Sequence, residues 1–248
     1  MCIIAVKPAA SAAPSEARLR YMFSTNKDGA GIAWARDGVL HIVKGLMTAD
    51  ELIRAAQRVP EDAAAVYHCR ITTSGGTCKE LTHPFVLDAS IKRQRQTKVE
   101  TSSGAAVAHN GVFSKFRHKE LNNDTTQFIT NYLAPLDALK KKVGGEVTDA
   151  DLRNIIDELV SGSRLAIITS SGALEVYGSG WITDGGIKYS NYNYKPYESD
   201  YWQCDSWCSY YSAWNSKEFK EYCKLNKDSG FEKRELYDMY MYGASDGY

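Results

Sequence analysis

The sequence has no long hydrophobic run and no excess of charge of either sign. Its 248 residues include 30 Lys and Arg and 30 Asp and Glu, so the formal net charge is zero. No apolar stretch approaches the ~20 residues that a membrane-spanning helix needs, so we expect no membrane-embedded segment. No long basic run is present either, and direct binding to nucleic acid is therefore not expected.

Cysteine is sparse as well. Six cysteines in a chain of 248 residues do not indicate the disulfide framework of a small secreted domain. The first residues lack the basic segment followed by an apolar core that marks a secretory signal. We therefore expect a reduced, intracellular protein, located in the cytoplasm.

The rest of the composition is that of an ordinary globular protein with a core, at 44% hydrophobic and 24% charged residues. Strand patterns come first, then helices, then strands, without steady βαβ alternation, which predicts an α+β fold with antiparallel sheets. The predicted elements are a first strand at Cys2–Val6, hairpins across Asp37-Gly38 and Ser170–Gly172, helices behind Ser15, Thr48, Asp124 and Thr148 (the last with Leu152, Ile155, Ile156 and Leu159 inward), and an exposed loop over Asp88–Ser103.

The last quarter of the chain differs in character. Twelve of the sixteen tyrosines lie at or beyond Tyr189, and aliphatic residues nearly vanish there. We therefore divide the chain into a main domain, 1–188, and a Tyr/Trp-rich extension, 189–248. Three interpretations of the extension stay open: aromatic packing onto the main domain, a docking surface for another subunit, or metal binding by Cys204, Cys208 and Cys223. Short helices are predicted at Lys217–Leu225 and Phe231–Tyr242.

A cysteine stands directly behind the initiator methionine. Cys2 leads into the apolar run Ile3-Ile4-Ala5. If Met1 is removed, Cys2 carries a nucleophilic thiol and a free α-amine with a pKa near ~7.7–8.0 on one residue. Taken alone, Cys2 is equally well explained as a small buried apolar residue.

Four further segments carry polar residues suited to binding and catalysis. Each also has a structural explanation, such as a surface ion pair for Arg70, a plain turn for Asn110-Gly111 or a helix cap for Asp124. The segments are Tyr67-His68-Cys69-Arg70-Ile71-Thr72-Thr73, Thr82-His83-Pro84-Phe85, Ala108-His109-Asn110-Gly111 and Asn123-Asp124-Thr125-Thr126.

In this order behind Cys2, the segments resemble the class II glutamine amidotransferases of the N-terminal-nucleophile hydrolase superfamily. The resemblance covers Cys2 to Tyr189 and includes Lys27-Asp28-Gly29-Ala30-Gly31-Ile32. It implies a four-layer αββα sandwich with two antiparallel sheets. It also implies a glutaminase domain that releases ammonia from glutamine through a thioester, without a fused synthase, a cofactor or a metal.

The resemblance also implies a role for each matching residue. The catalytic set is the nucleophile Cys2 with Asn110 and Gly111, whose amide groups bind the oxyanion. The substrate-binding set is Arg70 for the glutamine α-carboxylate, Asp124 for its α-amino group, and Thr73 and His83 near the pocket.

Two departures from the family pattern keep alternatives open. After Arg70 the family often has Trp-Ala-Thr-His, whereas this chain has Ile71-Thr72-Thr73-Ser74. The extension contains no phosphate-binding loop, so ammonia is expected to pass to a separate synthase or ligase subunit. A free-standing amide hydrolase acting on another γ-glutamyl or small amide substrate, and a non-catalytic binding protein with the same fold, are the alternatives.

Overall fold

The computed structural model describes residues 1–72, 76–116, 123–143, 148–196, 217–225 and 227. The chain divides into two compact units, Met1–Pro196 and Tyr197–Tyr248. The predicted boundary between residues 188 and 189 lies inside a strand of the first unit, Ile187–Tyr189. In the second unit the predicted helix at Lys217–Leu225 is present, and the one predicted at Phe231–Tyr242 lies outside the described residues.

The described strands of the first unit form two sheets whose pairings are all antiparallel. One sheet has the order β10-β11-β1-β4-β2-β3-β6, and the other has the order β5-β7-β8-β9. The strands are β1 Ile3–Lys7, β2 Ala30–Arg36, β3 Val39–Leu46, β4 Ala64–Cys69, β5 Phe85–Val86, β6 Lys98–Thr101, β7 Ala105–Asn110, β8 Arg164–Thr169, β9 Leu174–Tyr177, β10 Ile182–Asp184 and β11 Ile187–Tyr189.

The helices begin where the sequence supplies side chains that accept from exposed backbone N–H groups. Ser15 caps the first helix, and Thr48 and Thr148 form capping boxes with Glu51 and Asp151, so these predicted starts are confirmed. The helices are α1 Glu16–Thr25, α2 Ala49–Ala56, α3 Ile91–Gln94, α4 Asp124–Phe128, α5 Ala134–Val143, α6 Asp149–Leu159 and α7 Lys217–Leu225, with a π-helical turn at Ile129–Leu133 joining α4 to α5.

Three apolar layers separate four layers of secondary structure. Helices α1 and α2 pack on the outer face of the larger sheet, and α4, α5 and α6 pack on the outer face of the smaller one. Between the sheets, Ile4 and Val6 of β1 share a cluster with Ala106 and Ile168 of the smaller sheet. The predicted αββα sandwich is confirmed. Because β1 is buried on both faces, its first four residues, 3–6, are all apolar, and only its last residue, Lys7, is charged.

Both predicted hairpins are confirmed. Strands β2 and β3 pair directly across Asp37 and Gly38, whose φ angles of 52° and 76° are those of a tight type I′ turn. Strands β8 and β9 meet across residues 170–173, where the Thr169 N–H and carbonyl both bond within the turn.

Two local predictions are wrong. The segment Asp88–Ser103 is not a loop, because it contains α3 and the edge strand β6, which pairs with β3. Only Val99 of β6 is buried, so the strand has the polar composition of an exposed segment. In α6, Ile155 is 43% exposed whereas its neighbour Ile156 is buried. Successive helical residues point about 100° apart, and in α6 the buried face passes through Leu152 and Ile156, which leaves Ile155 at its edge.

No helix in the described part of the chain combines the length and apolar character needed to cross a bilayer.

Candidate active site

The start of β1 lies beside the end of β4. In this antiparallel pair Ile3 is opposite Cys69, so Cys2 is next to the segment that follows β4. The Cys2 Sγ lies 3.4 Å from the Ile71 nitrogen, which donates to it, and 3.4 Å from the Ile71 carbonyl oxygen, to which the thiol donates. The register of two strands therefore places the thiol next to the Arg70-Ile71 peptide.

Cys2 is 9% exposed, and its thiol lies close enough to two charged site residues to feel their charges. Burial raises the pKa of the thiol above its ordinary value. The bond from Ile71 and the positive charge of Arg70 lower this pKa, while the negative charge of Asp124 raises it. Arg70 and Asp124, both distant from Cys2 in sequence, thus act on the charge of its thiol in the folded chain.

The glycine-rich segment before β2 orders the backbone of Arg70. The Arg70 N–H donates to the Gly29 carbonyl at 2.8 Å, and the Asp28 N–H donates to the Arg70 carbonyl at 2.9 Å. The Asp28 carboxylate accepts from the Thr72 N–H at 2.8 Å. At Gly31, a Cβ would lie 2.3 Å from the His83 carbonyl oxygen, so a glycine is required there.

Asn110, at the end of β7 in the smaller sheet, is linked to β1 of the larger sheet by the side chain of Ser190. Its Nδ2 donates to the Ser190 Oγ at 2.9 Å, and the same oxygen accepts from the Ile4 N–H at 2.9 Å. The next residue, Asn191, donates from Nδ2 to the Cys2 carbonyl at 2.7 Å. Consecutive residues after β11 therefore fix both Cys2 and Asn110.

Ser190 and Asn191 were not predicted as site residues. Ser190 is fully buried, a place where serine is uncommon. The signal in the sequence is weak, because Ser190-Asn191 after a short apolar strand resembles an ordinary turn. Their role follows from the pairing of β11 with β1, which no local pattern specifies.

Gly111 follows Asn110 and is confined by a neighbouring strand. Its φ of 152° is unusual for residues with a side chain, and a Cβ there would lie 2.1 Å from the Ser163 Oγ. Only glycine fits this close approach between β7 and the start of β8.

Asp124 is the first residue of α4, and Asn123 is its cap. The Asn123 side chain accepts from the Thr126 N–H at 2.8 Å, so the predicted capping role of Asp124 is wrong. The Asp124 carboxylate is 5% exposed and accepts from the N–H groups of Phe113 and Thr125 at 2.8 and 2.9 Å. Because Asn123 caps the helix, the Asp124 carboxylate need not combine helix capping with its predicted substrate-binding role.

Three buried histidines lie beneath the start of α4. The Thr125 Oγ1 lies 3.1 Å from His83 Nε2 and 3.0 Å from His109 Nδ1, and His68 Nε2 lies 3.1 Å from the His109 carbonyl oxygen. Burial lowers the pKa of His68 and of His109 to about 3 and that of His83 well below its ordinary value, so all three rings are neutral at pH 7. The described residues include no group of three or more His, Cys, Asp or Glu placed to hold a metal ion.

The predicted site residues thus fall into three groups. Five of them lie next to the start of β1 or the ends of β4 and β7: Cys2 precedes β1, Arg70 follows β4, Asn110 ends β7, Gly111 follows it, and Asp124 accepts from the N–H of the nearby Phe113. His83 lies in the histidine cluster and contacts the residue after Asp124. Thr73 lies outside the described residues, and the substrate contacts of both His83 and Thr73 stay predictions.

Comparison with known proteins gives two kinds of result. No family model matches the chain, and no curated protein matches it. Similar solved structures do exist. One is described as the allosteric regulatory enzyme of purine biosynthesis, and matches with 20% identity and a TM-score of 0.39 over 68% of this chain and 36% of that one. Another is the glutamine phosphoribosylpyrophosphate amidotransferase of B. subtilis, with 20% identity and a TM-score of 0.40 over 68% and 35%. The chain spans about a third of the length of these proteins.

Proposed function

We propose that this chain hydrolyses the side-chain amide of glutamine, with Cys2 as an N-terminal nucleophile. The observation that supports the proposal most directly is the pair of residues that links Cys2 to Asn110. Asn191 hydrogen-bonds the Cys2 carbonyl at 2.7 Å and Ser190 hydrogen-bonds the Asn110 amide at 2.9 Å. A nucleophile and an oxyanion donor that come from different sheets are thereby held in one place.

Removal of Met1 is the first requirement of this mechanism. Met1 is 69% exposed and therefore accessible to an aminopeptidase. Its removal converts the Cys2 backbone nitrogen into an α-amine, whose pKa near ~7.7–8.0 suits a general base at neutral pH. The amine takes the thiol proton, and the nearby Arg70 charge stabilises the resulting thiolate.

Acyl transfer then proceeds in two steps. The thiolate attacks the amide carbon of glutamine, and the carbonyl oxygen becomes an oxyanion that accepts from the Asn110 amide and the Gly111 N–H. The Asn110 Nδ2 carries two hydrogens, and Ser190 accepts one of them. The C–N bond breaks as the amine returns its proton to the departing nitrogen, so ammonia leaves and a γ-glutamyl thioester remains. Water attacks the thioester, which yields glutamate and restores the thiol.

Substrate selection is assigned to the two charged residues beside the thiol. The planar Arg70 guanidinium suits the α-carboxylate, which it can bind through two parallel hydrogen bonds. The Asp124 carboxylate suits the α-ammonium group. Thr73 completes the binding set, and His83 contributes through Thr125, the residue next to Asp124.

The fate of ammonia belongs to the same proposal. We expect a separate synthase or ligase subunit in the cytoplasm to use it. The support for such a partner is compositional: the extension is rich in Tyr and Trp, residue types that are enriched at protein–protein interfaces.

An ammonia-release assay tests the proposal. Wild-type protein should release ammonia from glutamine, and Cys2→Ala should lower the rate at least ~10³-fold, because the substitution removes the nucleophile. Cys223→Ala, a cysteine on α7, is the matched control and should retain wild-type rates. Undiminished turnover in Cys2→Ala would refute the mechanism. A preference for another amide over glutamine would favour the hydrolase alternative.

A further inference from the structure

A cationic cleft lies between α2 and the strands β3 and β6. The cavity has a volume of about 340 Å³, within the range of small-molecule sites. Four cationic side chains from three segments line it, and Gly45 and Thr97 lie between them. The four are Arg54, Arg58, Lys79 and Lys98.

Ion pairing distinguishes these four cations from other cations of the described surface. Among the described residues, none of them has a carboxylate oxygen within the 4.0 Å of an ion pair. Several other surface cations are paired, for example Arg20 with Glu16 at 2.8 Å and Arg93 with Asp88 at 3.1 Å. The net charge of the chain is zero, so this positive excess is local.

One acidic group lines the cleft, and its pKa is lowered by the bond from the Met47 N–H and further by the nearby charge of Lys79, so Glu51 offsets part of the positive charge. The Glu51 Oε2 accepts from the Met47 and Thr48 N–H groups at 2.7 and 3.1 Å in the capping box of α2. Lys44 also lines the cavity, and its Nζ donates instead to the carbonyls of Glu80 and Gln94 at 2.9 and 2.7 Å. Because these bonds hold its ammonium group, Lys44 is not one of the four cations.

We propose that this cleft binds a phosphorylated small molecule of the nucleoside di- or triphosphate class. The guanidinium groups of Arg54, in the last turn of α2, and of Arg58, just past its C-terminal end, suit bidentate contacts with phosphate oxygens. Lys79 and Lys98 supply point charges on the opposite wall. Val43 and Leu46 form an apolar part of the lining, which suits a ligand with an uncharged ring. This inference does not depend on the activity proposed for Cys2.

Calorimetric titration of the full chain with pyrophosphate and with ATP tests the inference. Both probes should bind at one saturable site, and ATP should bind more tightly because it also covers the apolar lining. The double variant Arg54→Gln, Arg58→Gln should bind each probe at least ~10-fold more weakly. Raising the salt concentration should weaken the binding, because these side chains are exposed.

The control removes the same charge elsewhere. Lys140→Gln with Lys141→Gln changes two cations that pair with Asp149 and Asp137 on the helical layer, and should bind both probes as the wild type does. Equal loss of affinity in this control, absence of saturable binding, or wild-type affinity in the double variant would each overturn the inference. Should the double variant fail to fold, Lys79→Gln with Lys98→Gln removes the same charge from the opposite wall.

Discussion

At the scale of single residues, one buried hydroxyl joins the two sheets at the site. Ser190 accepts from the Ile4 N–H and the Asn110 amide, each at 2.9 Å. Its oxygen thereby satisfies a backbone donor of β1 and orients a side chain of β7. A small polar residue suits this position, because Ser190 is completely buried in a close-packed region and its hydroxyl oxygen accepts from two donors.

Ser190→Ala should therefore reduce catalysis more than substrate binding. Loss of a complete oxyanion donor costs ~2.7–4 kcal/mol, and a disoriented Asn110 should lose part of that, or roughly a tenfold fall in kcat. KM for glutamine should change little. The free energy of unfolding should also fall by ~1–3 kcal/mol, because the Ile4 N–H loses its acceptor.

The measurement is steady-state ammonia release combined with urea unfolding. Ser171→Ala, in the β8–β9 turn, is the matched control and should leave kcat unchanged. An unaltered kcat in a destabilised Ser190→Ala would show that Ser190 has only a structural role.

At the scale of elements, the sequence predicted the helix starts and tight turns that short-range interactions determine. The capping boxes at Thr48 and Thr148 and the Asp37-Gly38 turn were predictable, because side chains within a few residues satisfy the backbone there. The edge strand β6 was not predictable in this way. Its sequence is polar, and its strand conformation depends on backbone pairing with β3.

The same distinction applies to the candidate site. Cys2, Arg70, Asn110, Gly111 and Asp124 were predicted from a motif pattern, and the strand register brings their segments together. Ser190 and Asn191 were not, because their contacts join residues more than 75 positions apart in the chain. Such contacts depend on the order of the strands, which local patterns do not encode.

The histidine cluster beneath α4 should make stability depend on pH. Burial lowers the pKa of His68 and His109 to about 3, from an ordinary 6.5, and lowers that of His83 well below it. Between pH 3 and pH 6.5 these histidines bind more protons in the unfolded chain than in the folded chain. The contribution of the cluster is therefore complete above about pH 6.5 and is lost as the pH falls toward 3, at up to ~1.4 kcal/mol per pH unit for each histidine.

Urea unfolding at about pH 7 and about pH 5 measures this dependence. His109→Gln should reduce the difference in unfolding free energy between the two pH values by the share of one histidine. His41→Gln, on β3 outside the cluster, is the matched control for the loss of an imidazole. An equal difference in wild type and His109→Gln would contradict the account.

At the scale of the whole molecule, the first unit continues beyond the boundary drawn from composition. Strand β11 pairs with β1, and the rings of Tyr189 and Tyr194 stack at 3.8 Å inside the core that α1 and α2 cover. The abundance of tyrosine suggested a separate extension from residue 189, but the first tyrosines of that region belong to the first unit.

Two truncations test where the first unit ends. A chain ending at Pro196 retains β11, Ser190, Asn191 and Tyr194, and should keep a cooperative unfolding transition and ammonia release. A chain ending at residue 188 loses the Ser190 and Asn191 contacts and the buried Tyr189 and Tyr194 rings, and should be destabilised by several kcal/mol, at ~3–5 kcal/mol per large aromatic side chain. Thermal unfolding measures the stability of the two truncated chains. Equal stability of the two truncations would place the end of the first unit before residue 189.

The most direct test of the account is labelling with 6-diazo-5-oxo-norleucine, a glutamine analogue that alkylates a nucleophilic thiol with loss of N₂. Intact mass and peptide mapping of the labelled protein identify the modified residue. The account predicts one adduct, on Cys2, in chains that begin at Cys2, and protection by excess glutamine. An adduct on another cysteine, labelling of chains that retain Met1, or no adduct would contradict it.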